Sequence, residues 1–325
     1  MNTDRRFINQ LTPGEAIDQI FLVREKDLRT TKTGDFYLTC TLCDKTGSLP
    51  ARMWQVTEMM FGSIPVEGFL HVKGRTSDFK GTLQLMIDAC RPISPEKVEM
   101  EDFLAVSAHD IEGMWSELLD ILREIQNPPL RLLMKKFFED RELMGLFKKA
   151  PAALQVHHPF IGGLLEHTLG VARAARALLP LYPRLNADLT LAGIFLHDIG
   201  KCAELTSGTT INYTDRGALV GHINIAASWA AEKAAAVAAE TGEPFPQKTL
   251  DLLQHLILSH HGAYEFGSPK LPAVPEAFFI HYLDNLDAKL WISLHAIEAD
   301  PDADAAFTAF NRQLETRLYK RSREL

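Results

Sequence analysis

Several stretches in the second half of the chain place histidine or aspartate at helix ends or inside apolar runs. His167 follows Gly162-Gly163-Leu164-Leu165-Glu166, and His197-Asp198 ends an apolar segment that continues into Ile199-Gly200-Lys201. His222 opens the next segment and His260-His261 closes another. Asp284 lies within His281-Tyr282-Leu283-Asp284-Asn285-Leu286-Asp287. A buried carboxylate beside neutral imidazoles is costly unless a positive charge compensates it, and a divalent cation does so well. Mixed imidazole and carboxylate donors suit Mn²⁺, Fe²⁺, Ni²⁺ or Zn²⁺ rather than Ca²⁺ or a soft ion. Adjacent His and Asp at a helix end can share one ion, because the helix stops there and both side chains can turn inward. Any one of these histidines is more often structural or solvated. In this order, each at an apolar position or a helix end, they point jointly to a metal centre.

Other chemistries find less support. No serine or cysteine triad stands out. Gly34, Gly47 and Gly81 fall in turns and make neither a phosphate loop nor a dinucleotide fingerprint. Four cysteines, Cys40, Cys43, Cys90 and Cys202, are too few for a disulfide framework, which predicts a reducing, cytoplasmic setting. Cys40 and Cys43 lie in a strand without a partner pair and are not read as a zinc site. The chain has 325 residues, 46% hydrophobic and 23% charged, the balance of a soluble globular protein of two domains. No run approaches the roughly 18 apolar residues of a membrane helix, and no signal peptide is expected at the start. Net charge is −8. Residues 1–92 hold 12 Lys and Arg against 11 Asp and Glu, leaving 22 against 31 for the rest, so the acidity follows the histidines.

The elements that must position these groups change period along the chain. Ala16–Glu25, Phe36–Cys43, Ser48–Trp54, Gly68–Arg75 and Thr82–Cys90 read as strands, with Asp44-Lys45-Thr46-Gly47 as a hairpin turn and a short helix over Gln55–Phe61. Five short strands with a helix before the fourth predict an OB-fold, a small barrel that commonly binds single-stranded oligonucleotides. Alternation points Tyr37, Arg52, Trp54, Lys73 and Arg75 away from the core, with Phe79 and Lys80 on the last loop. Aromatic and basic groups so mixed could stack bases and track phosphates. Packing for Trp54 and plain solvation for the charges is the competing reading. From Ile111 the period is helical, over Met114–Ile125, Leu130–Phe138, Gly163–Leu179, Asp188–His197, His222–Thr241, Gln247–Ser259, Pro275–Ala299 and Asp302–Tyr319. The expected architecture is multi-domain: an all-β barrel over 1–92, a linker with helices over 93–149, and an all-α domain over 150–325. The apolar helices of 111–149 and the C-terminal helix could bury against that domain or against a second copy of the chain in a homo-oligomer.

Phe195-Leu196-His197-Asp198-Ile199-Gly200-Lys201 resembles the naming motif of the HD-domain superfamily of metal-dependent phosphohydrolases, an all-helical fold. Within it the chain is similar to the YhaM family of 3′-to-5′ exoribonucleases, which join an OB-fold to an HD domain. The matching segments include Gly81-Thr82-Leu83-Gln84-Leu85, His157-His158-Pro159-Phe160-Ile161-Gly162-Gly163-Leu164, Gly221-His222-Ile223, Leu258-Ser259-His260-His261-Gly262 and Tyr282-Leu283-Asp284-Asn285-Leu286-Asp287. The resemblance implies that His167, His197, Asp198 and Asp284 hold one ion. His222 and His260 or His261 would hold a second, with Asp198 bridging. Lys201 would contact the scissile phosphate, His158 would either lie near the substrate or play a structural role, and Asp287 would orient a ligand. The implied cofactors are two divalent ions, manganese favoured over Fe²⁺, Ni²⁺ or Zn²⁺. The implied activity is hydrolysis of single-stranded RNA from its 3′ end by metal-activated water, with single-stranded DNA as a second substrate. The alternatives are a phosphohydrolase of small nucleotides whose barrel serves assembly or regulation, and a strand-binding protein with an inert HD domain.

Overall fold

The computed structural model describes residues 5–79, 81–103, 106–154, 158–206, 211–302 and 304–321. Its contacts divide the chain into two compact units, one ending at Val106 and the other beginning at Ser107.

The first unit is built on five strands: β1 (Ala16–Thr30), β2 (Phe36–Asp44), β3 (Gly47–Trp54), β4 (Gly68–Phe79) and β5 (Thr82–Ile93). They close into a barrel in the order β1-β2-β3-β5-β4, with only the β3–β5 pair parallel. Closure leaves no strand edge open. Helix α1 (Glu58–Ser63) lies between β3 and β4, and its start is set by Thr57, whose hydroxyl accepts from the Met60 N–H. This strand order, with a helix before the fourth strand, is that of an OB-fold. Alternation in β2 works as expected: Leu38, Cys40 and Leu42 are buried inside with Phe21, Leu49, Leu70, Val72 and Leu85. Phe36, at the strand end, is exposed instead.

The second unit is helical. It comprises α2 (Ile111–Leu122), α3 (Pro128–Phe138), α4 (Arg141–Phe147), α5 (Gly163–Leu178), α6 (Ala187–Leu196), α7 (Lys201–Glu204), α8 (Asp215–Val220), α9 (His222–Thr241), α10 (Gln247–Ser259) and α11 (Pro275–Glu298). Asn127 caps α3 ahead of two prolines, and Asn186 caps α6, each side chain accepting a backbone N–H three residues on. Every residue from Leu189 to Leu196 is buried, so α6 is the central helix. Phe195 on α6 meets Phe137, Phe138 and Phe147 at ring separations of 6.2, 5.4 and 5.4 Å. The helices of 111–147 therefore share one core with those that carry the histidines.

One expected element is absent. Among the described residues, Asp302 and 304–319 form no helix but a series of turns with the isolated bridges Phe307–Tyr319 and Asn311–Thr316. Pro301 restricts the residue before it, and short side chains offer the backbone other partners. Asp300 accepts from the N–H groups of Asp302 and Ala309, and Asp302 accepts from those of Asp304 and Ala305.

All four cysteines are free. Cys40 lies in the barrel core and Cys43 in a separate cluster with Phe69 and Phe103, so the pair does not form a metal site. Burial pushes the Cys40 thiol up to about 12 and raises that of Cys202 as well. Both should therefore resist a disulfide reagent at about pH 8 while the protein is folded and react once it is denatured. Labelling of native Cys40 at the rate of an exposed thiol would contradict its place in the core.

Candidate metal centre

The buried helix α6 delivers His197 and Asp198 at its C-terminal end, where the chain turns into α7. That turn is tight: a Cβ on Gly200 would lie 2.0 Å from the His222 carbonyl oxygen, so only glycine fits. His167 comes from the second turn of α5, His222 from the first position of α9, His260 and His261 from the end of α10, and Asp284 from the middle of α11.

These residues meet around Asp198, which is 2% exposed. Its Oδ2 lies 3.4 Å from His197 Nε2, 3.7 Å from His167 Nε2 and 2.6 Å from Lys201 Nζ. Its Oδ1 lies 3.3 Å from His222 Nε2 and 3.5 Å from His260 Nε2. On the Oδ2 side, His167 Nε2 is also 3.2 Å from Asp284 Oδ1 and 3.3 Å from His197 Nε2. Donor atoms thus gather in one group from His167, His197 and Asp284, and in another from Asp198, His222, His260 and His261.

Each ring is held from its other side. His197, His260 and His261 present Nδ1 to the carbonyl oxygens of Ile194, Ile257 and Phe266 at 2.6, 2.7 and 2.7 Å. His167 presents Nδ1 to Asp287 Oδ2 at 2.7 Å, and His222 presents it to Glu204 Oε1 at 2.9 Å. An acceptor at Nδ1 keeps the proton of a neutral imidazole there and leaves a lone pair on Nε2. The Nε2 atoms of His167, His197, His222 and His260 converge on Asp198. Asp198 Oδ1, His222 Nε2 and His260 Nε2 are buried without a hydrogen bond among the described residues. Buried acceptors facing one another without a proton donor are costly, and a cation between them removes the cost. The donor set therefore fits a divalent metal.

The local electrostatics agree. Burial raises the Asp198 carboxyl, but Lys201 and His197 outweigh it and hold the group well below the usual carboxylate range. Burial lowers His260, and burial with the neighbouring His260 brings His261 down to about 4, so both stay neutral as ligands must. Burial also disfavours a charged His167, yet Asp284 and Asp287 prevail and raise it to about 10.

His158 is not at an open surface. It is buried, with Nδ1 3.4 Å from Glu166 and Nε2 3.3 Å from Asp287. Asp287 can approach because Gly170 has no side chain; a Cβ there would sit 2.5 Å from its Oδ1. Glu204, which binds His222, is not singled out by any motif in the sequence. Its signal was a carboxylate one helical turn after Lys201 in a buried segment, ambiguous without the fold.

The barrel residues separate into groups. Tyr37 and Trp54 are cross-strand partners on β2 and β3, with ring centroids 4.9 Å apart. The Arg52 guanidinium lies over the Phe79 ring at 5.3 Å. Trp54 and Phe79 are each 48% exposed. Lys73 instead pairs with Asp18 at 2.7 Å, and Arg75 donates to the Gly14 carbonyl at 2.8 Å. Lys80 lies outside the described residues.

A family profile for the HD domain matches residues 164–289, which span His167 to Asp284. Over 290 residues the chain is 36% identical to the 3′-5′ exoribonuclease YhaM of Shouchella clausii, covering 88% of this chain and 87% of that one. It is 37% identical over 290 residues to the protein of the same name from a Geobacillus species, covering 88% and 86%. The second OB-fold domain of replication protein A from Methanococcus maripaludis aligns with 29% of this chain and 98% of its own at 20% identity and a TM-score of 0.23, so the strand order remains the argument for the barrel's fold. With that identity over nearly its whole length, and an HD domain at its metal centre, the chain belongs to the YhaM family of 3′-5′ exoribonucleases.

Proposed function

We propose that this protein is a metal-dependent exonuclease that removes nucleotides from the 3′ end of single-stranded RNA, cutting in the helical unit and gripping the strand with the barrel. The observation that carries the reading is the placement of Asp198, whose two oxygens face two groups of imidazole Nε2 atoms. His167, His197, Asp284 and Asp198 Oδ2 would hold one ion. His222, His260, His261 and Asp198 Oδ1 would hold a second. Manganese is the first choice among the divalent ions that accept such mixed donors. Bound there, the ions supply Lewis acidity toward a phosphodiester and allow water to act as nucleophile near neutral pH.

The chain's own residues do the rest. The Nδ1 acceptors hold the imidazoles aimed inward. Lys201, 7% exposed, carries the cationic group closest to the shared carboxylate. With ions held there, Lys201 Nζ would be placed to pair with a phosphate oxygen that gains charge during the reaction. Asp287 fixes His167, and His158 braces Asp287 rather than touching the substrate. On the barrel, Trp54 and Tyr37 offer faces for bases, while Arg52 beside Phe79 offers positive charge to the backbone. Lys73 and Arg75 are engaged elsewhere and are assigned no contact. Stacking and charge do not read a 2′-hydroxyl, so we include single-stranded DNA in the substrate class.

End-labelled single-stranded RNA with Mn²⁺ should give a ladder shortening from the 3′ end. Intact RNA alongside hydrolysis of a cyclic nucleotide or nucleoside monophosphate would replace this reading with a small-nucleotide phosphohydrolase. Asp198→Ala should abolish hydrolysis and leave the affinity for RNA near that of the parent. Trp54→Ala should weaken strand binding by about 1–3 kcal/mol without unfolding the barrel, since the indole is half exposed. Equal affinity in a filter-binding titration would return Trp54 to a packing role.

The raised pKa of His167 sets a sign for metal loading. Below about 10 the metal-free site holds a proton there that an entering cation must displace. Mn²⁺ affinity should therefore rise with pH between about 6 and 9, with protons released on binding, in calorimetric titrations repeated across buffers. Affinity independent of pH would rule out His167 as a ligand.

A further inference from the structure

Three of the five histidines rest on backbone carbonyls, but two rest on carboxylates, and one of these falls in each group of donors. His167 has Asp287, and His222 has Glu204. Glu204 is 8% exposed, and its Oε1 accepts twice, from the His222 backbone N–H and from Nδ1, both at 2.9 Å. The Glu204 carboxylate thus fixes both the start of α9 and the ring that α9 delivers, with Oε2 also 2.9 Å from Nδ1. The Glu204 backbone is tied down independently of the side chain. Its N–H donates to Gly200 at 3.0 Å and its carbonyl accepts from Thr214 at 2.9 Å. Gly217 lies against the same carbonyl, where a Cβ would come within 2.2 Å of the oxygen.

We propose that Glu204 is a positioning residue that sets the occupancy of one ion position, the one formed by Asp198 Oδ1, His222, His260 and His261. Asp287 does the same for the other. The inference rests on the two-ion reading above. The physical reason is that a neutral imidazole has two tautomers and a rotatable ring. A carboxylate at Nδ1 fixes both and makes Nε2 more basic than a carbonyl would. Without Glu204, His222 loses the partner that aims its lone pair, while His167, held by Asp287 on a different helix, keeps its own. The two positions should therefore empty separately.

The test uses the full chain, Mn²⁺ alone as the probe, and three proteins: parent, Glu204→Ala and Glu204→Gln. Metal is counted by mass spectrometry after loading and desalting, and affinities are read by calorimetry. The parent should hold two ions. Glu204→Ala should hold one, with the second position weakened about 10–100-fold. Glu204→Gln keeps an acceptor oxygen and should hold two. In chelator, Glu204→Ala should unfold at a somewhat lower temperature than the parent, because the His222 N–H loses its acceptor, and the rise in Tm on adding Mn²⁺ should be smaller in the variant. Two ions at parental affinity in Glu204→Ala would overturn the proposal. So would equal ion loss in both variants, which would make Glu204 a structural residue. Fewer than two ions in the parent would overturn the two-ion reading, and the proposal with it.

Discussion

One carboxylate organises the helical unit. Asp198 is buried at the end of the central helix with a charge that burial alone would remove. Lys201 at 2.6 Å and the surrounding imidazoles keep it ionised, at the cost of drawing several polar groups out of water. Its two oxygens then serve different partners, which turns a single residue into the seam between two sets of donors. Uncompensated buried charges are among the costliest features a fold can carry. The neighbouring elements have to deliver their groups to this point for the arrangement to be stable.

The scaffold meets that demand by close approach. Helix α6 is apolar on every side because other helices surround it, and this fixes the position of its last residues. Gly200 lets the following turn lie against the start of α9, and Gly170 lets the Asp287 carboxylate reach α5. Backbone carbonyls at the ends of α6 and α10 are unsatisfied by their own helices, so they are available to accept from His197 and His260. Helix ends thus contribute twice, presenting the ligand and supplying the acceptor that orients it.

The barrel solves a different problem. Closing five strands into a ring buries one face of each and sends every other residue outward, but outward is not a single direction. Tyr37 meets Trp54 because β2 and β3 are paired in register, and Arg52, two residues before Trp54 on β3, lies over the Phe79 ring. Lys73 is just as exposed, yet its strand pairs with β1, where Asp18 takes up its charge.

Residue order alone determined much of this protein. The change from period two to period 3.6 marked the two kinds of unit, since side-chain alternation and helical repeat are local properties of the backbone. His167, His197, Asp198, His222, His260, His261 and Asp284 were legible because charged or metal-binding groups rarely occupy apolar helix positions without a reason. The lack of a helix among the described residues of 302–319 was not legible, because there short side chains compete for backbone groups through hydrogen bonds that a periodicity count does not register. Tertiary structure alone decided which barrel residues share a surface, that His158 is enclosed between Glu166 and Asp287, and that Glu204 grips His222 from 18 positions away. Those facts depend on distances between elements remote in the chain. Such distances are set by packing and by where a missing side chain permits two backbones to meet, and no local pattern encodes them.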